Sequence, residues 1–280
     1  MNESRRDFIK AAGFAAVAST LPSSAAHSAI ESQKKERTAV PFNLGIASYT
    51  FRAFSLDQTI EMTKRLGIKK LTLKDVHLPL KSTEKEINAS LEKINNAGLQ
   101  LDSVGVVYMK TEEEIKQAFA YAKLAGLKMI VGAPDQSLID VAERVVKETD
   151  ITLAIHNHGP TDERYPSPES AYNLIAKMDK RMGLCIDMGH TQRLGLDPSV
   201  EVERFFDRVF DIHIKDVDYA EAKGKTVEIG RGVIDIPKFL RTVVKLQYAH
   251  TLHFEFEKDP KDPLPGVAES VGYVRGVLAA

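Results

Sequence analysis

Cysteine is almost missing from this sequence. Cys185 is the one example among 280 residues, so no intramolecular disulfide can form. It sits in the apolar run from Met182 to Met188, where a buried structural thiol is expected rather than a nucleophile. Charge of one sign is not in excess either. Lys and Arg number 38 against 39 Asp and Glu, a formal net charge of −1, which leaves no basic stripe for a nucleic acid. Beyond residues 1–30, no apolar run approaches the roughly 18 residues that a membrane helix needs, so no membrane span is expected in the mature chain. A Gly-rich phosphate loop is absent too: Gly45-Ile46-Ala47-Ser48 lacks the dinucleotide fingerprint.

What is present begins with Ser4-Arg5-Arg6-Asp7-Phe8-Ile9-Lys10, which fits the twin-arginine export pattern. A small apolar run from Ala11 to about Leu21 follows, then Pro22 and a Ser/Ala-rich stretch in which Ser24 and Ala26 suit cleavage after Ala26. Residues 1–30 are expected to be a signal peptide and cleavage region addressed to the twin-arginine export machinery. Residues 31–41 are then a linker and residues 42–280 the folded domain, periplasmic or otherwise exported. No Cys lies near the cleavage position, so a lipid anchor is not expected. The twin-arginine route carries proteins already folded. A metal site would then fill before the protein meets periplasmic copper or zinc, which bind N/O sites more tightly than Mn²⁺.

From residue 43 onward, short apolar runs alternate with amphipathic stretches. Expected strands are Asn43–Ser48, Lys69–Lys74, Gln100–Val107, Lys128–Val131, Ile151–His156, Met182–Asp187, Val209–Lys215 and Thr251–Glu257. Helix starts are marked by Ser55 before Gln58 and Thr111 before Glu114 at capping-box spacing, and by Ser167-Pro168 and Asp197-Pro198. Helix stops are marked by Gly67, Gly98 and Gly126, each followed by the next strand. Eight strands in about 250 residues match a single-domain α/β fold, the (β/α)₈ TIM barrel. A doubly wound open sheet is the competing architecture, disfavoured by the missing phosphate loop.

In a barrel, chemistry collects where strands end. Four late strands end in metal-ligand residue types: His156-Asn157-His158, Asp187-Met188-Gly189-His190, His213-Ile214-Lys215-Asp216 and Glu255-Phe256-Glu257. Period-two geometry puts His156 with His158, His213 with Lys215 and Glu255 with Glu257 on shared faces. The interleaved Ile212, Ile214, Phe254 and Phe256 suit the face packed against helices, so the polar members point into the barrel mouth. One lone His is more often a satisfied core residue, but four consecutive strands ending this way point to a metal site.

These residues carry a family resemblance. The sequence resembles the xylose-isomerase-like TIM-barrel superfamily, in its sugar phosphate isomerase/epimerase branch, over essentially the whole mature chain. The most specific parts are Asp187–His190, His213–Asp216 and Glu255–Glu257. The resemblance implies one divalent ion (Mn, Co, Zn or Mg) held by Asp187, His213 and Glu255, with His156 at the strand-five position where relatives carry Glu. A metal-bound imidazole has no free lone pair for a substrate proton, so His156 does not replace a carboxylate base. Glu255 or His158 is then the expected base, with Lys215, His190 or Glu257 relaying protons. Expected substrate contacts are Lys74 and His77 after strand two, Asn157, Glu257, and Arg231 of Gly230-Arg231-Gly232, which resembles the family's Gly-x-Gly loop. Tyr49, Arg52, Tyr108 and Lys110 follow strands one and three, where the aromatic rings suit either stacking on a sugar face or rim packing.

The chemistry implied is proton abstraction beside a carbonyl polarised by the ion, giving an enediolate. Reprotonation at another carbon isomerises, and return from the opposite face epimerises. Expulsion of a β-leaving group cleaves, as in lyases acting on 3-keto-glycosides. A small carbohydrate is the expected partner, and a homodimer is a further possibility. Two rival classes stand beside this reading. DNA-repair endonucleases share the barrel, but neutral charge and an export signal oppose them. A non-catalytic periplasmic sugar-binding barrel would keep the cleft without needing a metal.

Overall fold

The computed structural model describes residues 40–280. The expected signal peptide and all but the end of the expected linker therefore lie outside the described residues. Ten strands follow in chain order: β1 (Asn43–Ala47), β2 (Lys70–Leu73), β3 (Gln100–Met109), β4 (Met129–Pro134), β5 (Thr152–His156), β6 (Met182–Asp187), β7 (Val209–Ile214), β8 (Asp216–Val217), β9 (Thr226–Val227) and β10 (Thr251–Phe254). Eight of them close in the order β1-β10-β7-β6-β5-β4-β3-β2, every neighbour parallel. Helices between the strands complete a single-domain (β/α)₈ TIM barrel.

The local signals explain the elements. Ser55 and Gln58 form a reciprocal capping box at the helix Leu56–Arg65, and Ser167 caps Pro168–Ile175 with Pro at its first turn. Thr111 differs from expectation: it caps Glu114, but the Glu114 carboxylate accepts from the Lys110 N–H instead of closing the box. The outward stripe of the barrel is apolar and dry. Ile46, Leu71, Ile130, Leu153, Ile186, Ile212, Ile214, Leu252 and Phe254 are all buried, each contributing about 1.5–3 kcal/mol by leaving water.

Two boundaries shift where side chains take over backbone bonds. The last barrel strand stops at Phe254 rather than Glu257 because the Phe256 N–H goes to Thr50 Oγ1, at 3.0 Å, instead of to a neighbouring strand. The second shift is the antiparallel pair β8–β9, which was not expected. It is clasped by Asp216, whose carboxylate accepts from the N–H groups of Val217, Gly230, Gly232 and Ile234 at 2.9–3.1 Å. Gly232 is required there, since a Cβ would lie 2.2 Å from Asp216 Oδ1. The Gly-x-Gly loop thus wraps the motif aspartate.

Candidate metal centre and cavity

Asp187 ends β6 and caps the short helix Met188–Gln192 that follows. Its Oδ1 accepts from the His190 N–H at 2.8 Å, which leaves Oδ2 for His156 and the Lys215 ammonium. The turn is held from below: Asn157 accepts from the Asp187 N–H at 2.9 Å and donates to Thr191 Oγ1 at 3.2 Å. At Gly189 a Cβ would sit 2.5 Å from Lys215 Cδ, so glycine lets that lysine pass through to the carboxylates.

His156, Asp187, His213 and Glu255 each offer a ligand atom within 4.8 Å of the others, and all four residues are buried. His156 Nε2 meets His213 Nδ1 at 3.2 Å and Asp187 Oδ2 at 3.5 Å, while His213 Nδ1 lies 3.3 Å from Glu255 Oε2. Ligands about 2.0–2.1 Å from a tetrahedral ion are separated by about 3.4 Å, so these edges fit a small divalent cation. The charges fit as well. Lys215, itself buried, contacts Asp187 at 2.9 Å, Glu255 at 2.7 Å and Glu257 at 2.5 Å, so three carboxylates face one ammonium. The excess of two negative charges is what a divalent ion would neutralise.

The titrations follow from this crowding. Burial opposes charge on Asp187 and Glu255. For Asp187, Lys215 and His190 outweigh it; for Glu255, Lys215 and His213 do, and both carboxyls stay well below their usual range. Burial likewise opposes charge on Lys215, and its three carboxylates hold it well above the usual lysine range. His156 is pushed down to about 4 by burial, and so remains a neutral imidazole at ordinary pH. His213 moves up, because Glu255 more than offsets its burial.

One layer deeper, a second set of polar groups lines the same strands. Asp211 Oδ1 accepts from His253 Nδ1 at 2.7 Å and from the Ile212 N–H at 2.9 Å. Its Oδ2, without a hydrogen bond, lies 3.8 Å from the equally unpartnered His213 Nε2. His253 Nε2 faces Asp102 at 4.0 Å, and Asp102 is held by Lys70 at 2.8 Å and Thr251 at 2.7 Å.

A cavity of about 400 Å³ opens beside the four candidate ligands, lined by Tyr49, Lys74, Val106, Tyr108, His156, His158, His190, Glu255 and Glu257. His158 is pushed down to about 3 by burial and by His156, and its Nε2 meets the Tyr108 hydroxyl at 2.8 Å. Lys74 points in from β2 and donates to the Val106 carbonyl, its pKa lowered by burial. Lys215 does not line the cavity but pairs with two residues that do, Glu255 and Glu257.

Three expected substrate contacts are placed elsewhere. His77 is buried beneath the first turn, its ring shared by Ser48 at 2.9 Å and Thr59 at 3.0 Å. Arg231 is exposed and paired with Glu269. Asn157 is committed to Asp187 and Thr191, as described above. For each, a neighbouring side chain or backbone group satisfies the polar atoms that the sequence left open. The Tyr108–His158 contact and the Asp211–His253 pair were not anticipated. Only the period-two rule carried backward along β7 and β10 signals the latter.

The comparisons agree with this architecture. A family profile described as "Xylose isomerase-like TIM barrel" matches residues 6–277. Among curated proteins, none matches the chain in sequence. Among solved structures, a xylose isomerase domain protein from Alicyclobacillus acidocaldarius superposes with a TM-score of 0.68 at 16% identity, covering 85% of this chain and 98% of that one. An L-ribulose 3-epimerase gives 0.68 at 15% identity, over 84% and 94%. A probable 3-DHS dehydratase of petrobactin synthesis from Bacillus anthracis gives 0.65 at 14% identity, over 82% and 98%. At such identities the likeness is one of fold.

Proposed function

The chain belongs to the xylose isomerase-like TIM barrel family, and from that premise we propose that it is a sugar isomerase or epimerase dependent on one divalent ion. The observation that carries the proposal is the convergence of His156, Asp187, His213 and Glu255, of which His156 and Glu255 line a cavity of monosaccharide size. An ion held by those four residues would supply Lewis-acid polarisation of a substrate carbonyl.

The chain's own groups handle the protons. Glu255 is charged and faces the cavity, so it is suited to removing the C–H proton beside the carbonyl. His158 faces the cavity from the strand-five side with the Tyr108 hydroxyl on its Nε2, a pair placed to relay a proton to or from the substrate. Lys215 keeps Glu255 ionised between turnovers and also pairs with Glu257. Lys74 lies within reach of a sugar oxygen.

A second reading, β-elimination from a 3-keto-glycoside, is favoured by one observation. Strand five offers the imidazoles of His156 and His158 where a two-carboxylate epimerase needs a second anionic base. Elimination needs only one well-placed base.

The test is elemental analysis of the purified protein together with NMR of sugars and 3-keto-glycosides incubated in D₂O, with and without chelator. The proposal expects one bound ion per chain and chelator-sensitive deuterium uptake, with the products separating isomerase from lyase. A protein without metal that exchanges no protons across the panel overturns it in favour of a sugar-binding barrel.

A further inference from the structure

Beside the cavity above the candidate metal centre lies another of about 480 Å³, and Glu257 lines both. Its wall carries Arg193, Lys225 and Lys258 together with Asp218 and Thr226. The acids near it are largely committed. Lys258 is bound by Glu228 at 2.8 Å, Glu257 is held by Lys215 at 2.5 Å, and Asp218 accepts from the Lys225 backbone N–H at 2.6 Å.

Arg193 is different. It is half-buried, and among the described residues no carboxylate lies within ion-pair distance of its guanidinium. Its Nη1 touches His190 Nδ1 at 3.1 Å, and its Nε is buried with no partner. Thr226 Oγ1, on the same wall, is also buried and unpartnered. A guanidinium drawn out of water normally recovers its hydrogen bonds from a carboxylate or a row of carbonyls, and leaving them unmade is costly. Here Arg193 follows directly on the turn that carries Asp187 and His190, which brings it to the boundary between the two cavities.

We infer that the second cavity is a subsite for an anionic group carried by the substrate, a carboxylate or a phosphoryl group, anchored by Arg193 with the Thr226 hydroxyl beside it. A planar guanidinium with free donors matches both oxyanions in the same bidentate way. The inference rests on the sugar-enzyme reading and names the class of sugar that reading leaves open: an acidic sugar, with its charge held away from the reacting carbon.

The test is isothermal titration of the full-length, metal-loaded protein with glucose, glucuronate and glucose 6-phosphate, repeated for Arg193→Gln and Arg193→Lys. One or both acidic sugars are expected to bind at least about tenfold more tightly than glucose, with the gap shrinking as salt is raised. Comparing glucuronate with glucose 6-phosphate shows which oxyanion fits. Arg193→Gln is expected to close the gap, while Arg193→Lys keeps part of it. Should Arg193→Gln fold poorly, the salt dependence of the wild type and the Arg193→Lys result still decide. Equal binding of all three sugars, or a gap that survives Arg193→Gln, overturns the anion subsite and leaves the sugar reading standing. Binding of none of the three, with the metal in place, overturns the sugar reading and this inference with it.

Discussion

At the mouth of the barrel, His156, Asp187, His213 and Glu255 turn their ligand atoms toward one another. One layer below, His253, Asp211 and Asp102 are drawn from the same residue types but wired differently. In the lower set, His253 Nδ1 sits 2.7 Å from Asp211, and Lys70 and Thr251 take up Asp102. In the upper set, two imidazole nitrogens and two carboxylate oxygens converge, and the Lys215 ammonium meets those oxygens at 2.7 and 2.9 Å. Composition alone does not separate a metal centre from a polar core. The distinction is whether the ligand-type atoms converge on one point, as in the upper set, or pair off from strand to strand, as in the lower.

The largest effect should come from the upper set. Asp187→Ala or His213→Ala should abolish metal binding and activity together, read by elemental analysis and the exchange assay. Asp102→Asn, in the lower set, should leave metal content unchanged, and loss of the ion from that variant would erase the distinction drawn above.

Lys215→Met sharpens the comparison from the electrostatic side. It strands buried carboxylates without their ammonium, a loss of about 3–5 kcal/mol in the metal-free protein. Because a divalent ion supplies the missing charge, adding metal should recover much of that loss in thermal melts. A variant whose deficit is the same with and without metal would show that Lys215 is not balancing the ligand carboxylates.

Asp211→Asn tests whether the lower layer serves the upper. Groups that orient a ligating histidine typically change metal affinity about 10–100-fold, and a weakening of that order is expected in chelator competition. Unchanged affinity would confine Asp211 to holding His253.

The smallest effect is the pH slope of the metal-free protein. His158 and His156 sit near 3 and 4 when folded, held down by burial, against 6.5 as free side chains. The unfolded chain therefore takes up protons that the folded chain refuses, and stability falls as pH drops from about 6.5 toward about 4. His213, whose pKa is raised, works against that slope. Melting temperatures of wild type and His158→Gln across this window should show a shallower fall in the variant.

Much of the fold was legible because repeating local signals agreed with one another. Ser55 and Ser167 capped where expected, and Gly67, Gly98 and Gly126 ended helices at φ values of 64°, 72° and 67°. The candidate ligands were legible for a similar reason, since strand ends in a closed parallel barrel share one rim. His77 and Arg231 were misplaced because each follows a strand end in sequence, while the partners that claim them, Ser48, Thr59 and Glu269, come from distant segments. The Tyr108–His158 contact spans 50 residues and the Asp211–His253 pair 42, beyond the reach of any local pattern.

The sequence by itself determined the alternation of strand and helix, the apolar outward face of the barrel, and which residue types stand at its rim. Each of these follows from period, capping and hydrophobicity along a short stretch of chain. Tertiary structure alone decided which polar groups converge on one point and which pair off. Whether an Asp or His becomes a ligand, a clasp such as Asp216 or a core pair such as Asp211 with His253 depends on donors delivered by remote strands. Only barrel closure brings those donors within hydrogen-bonding distance.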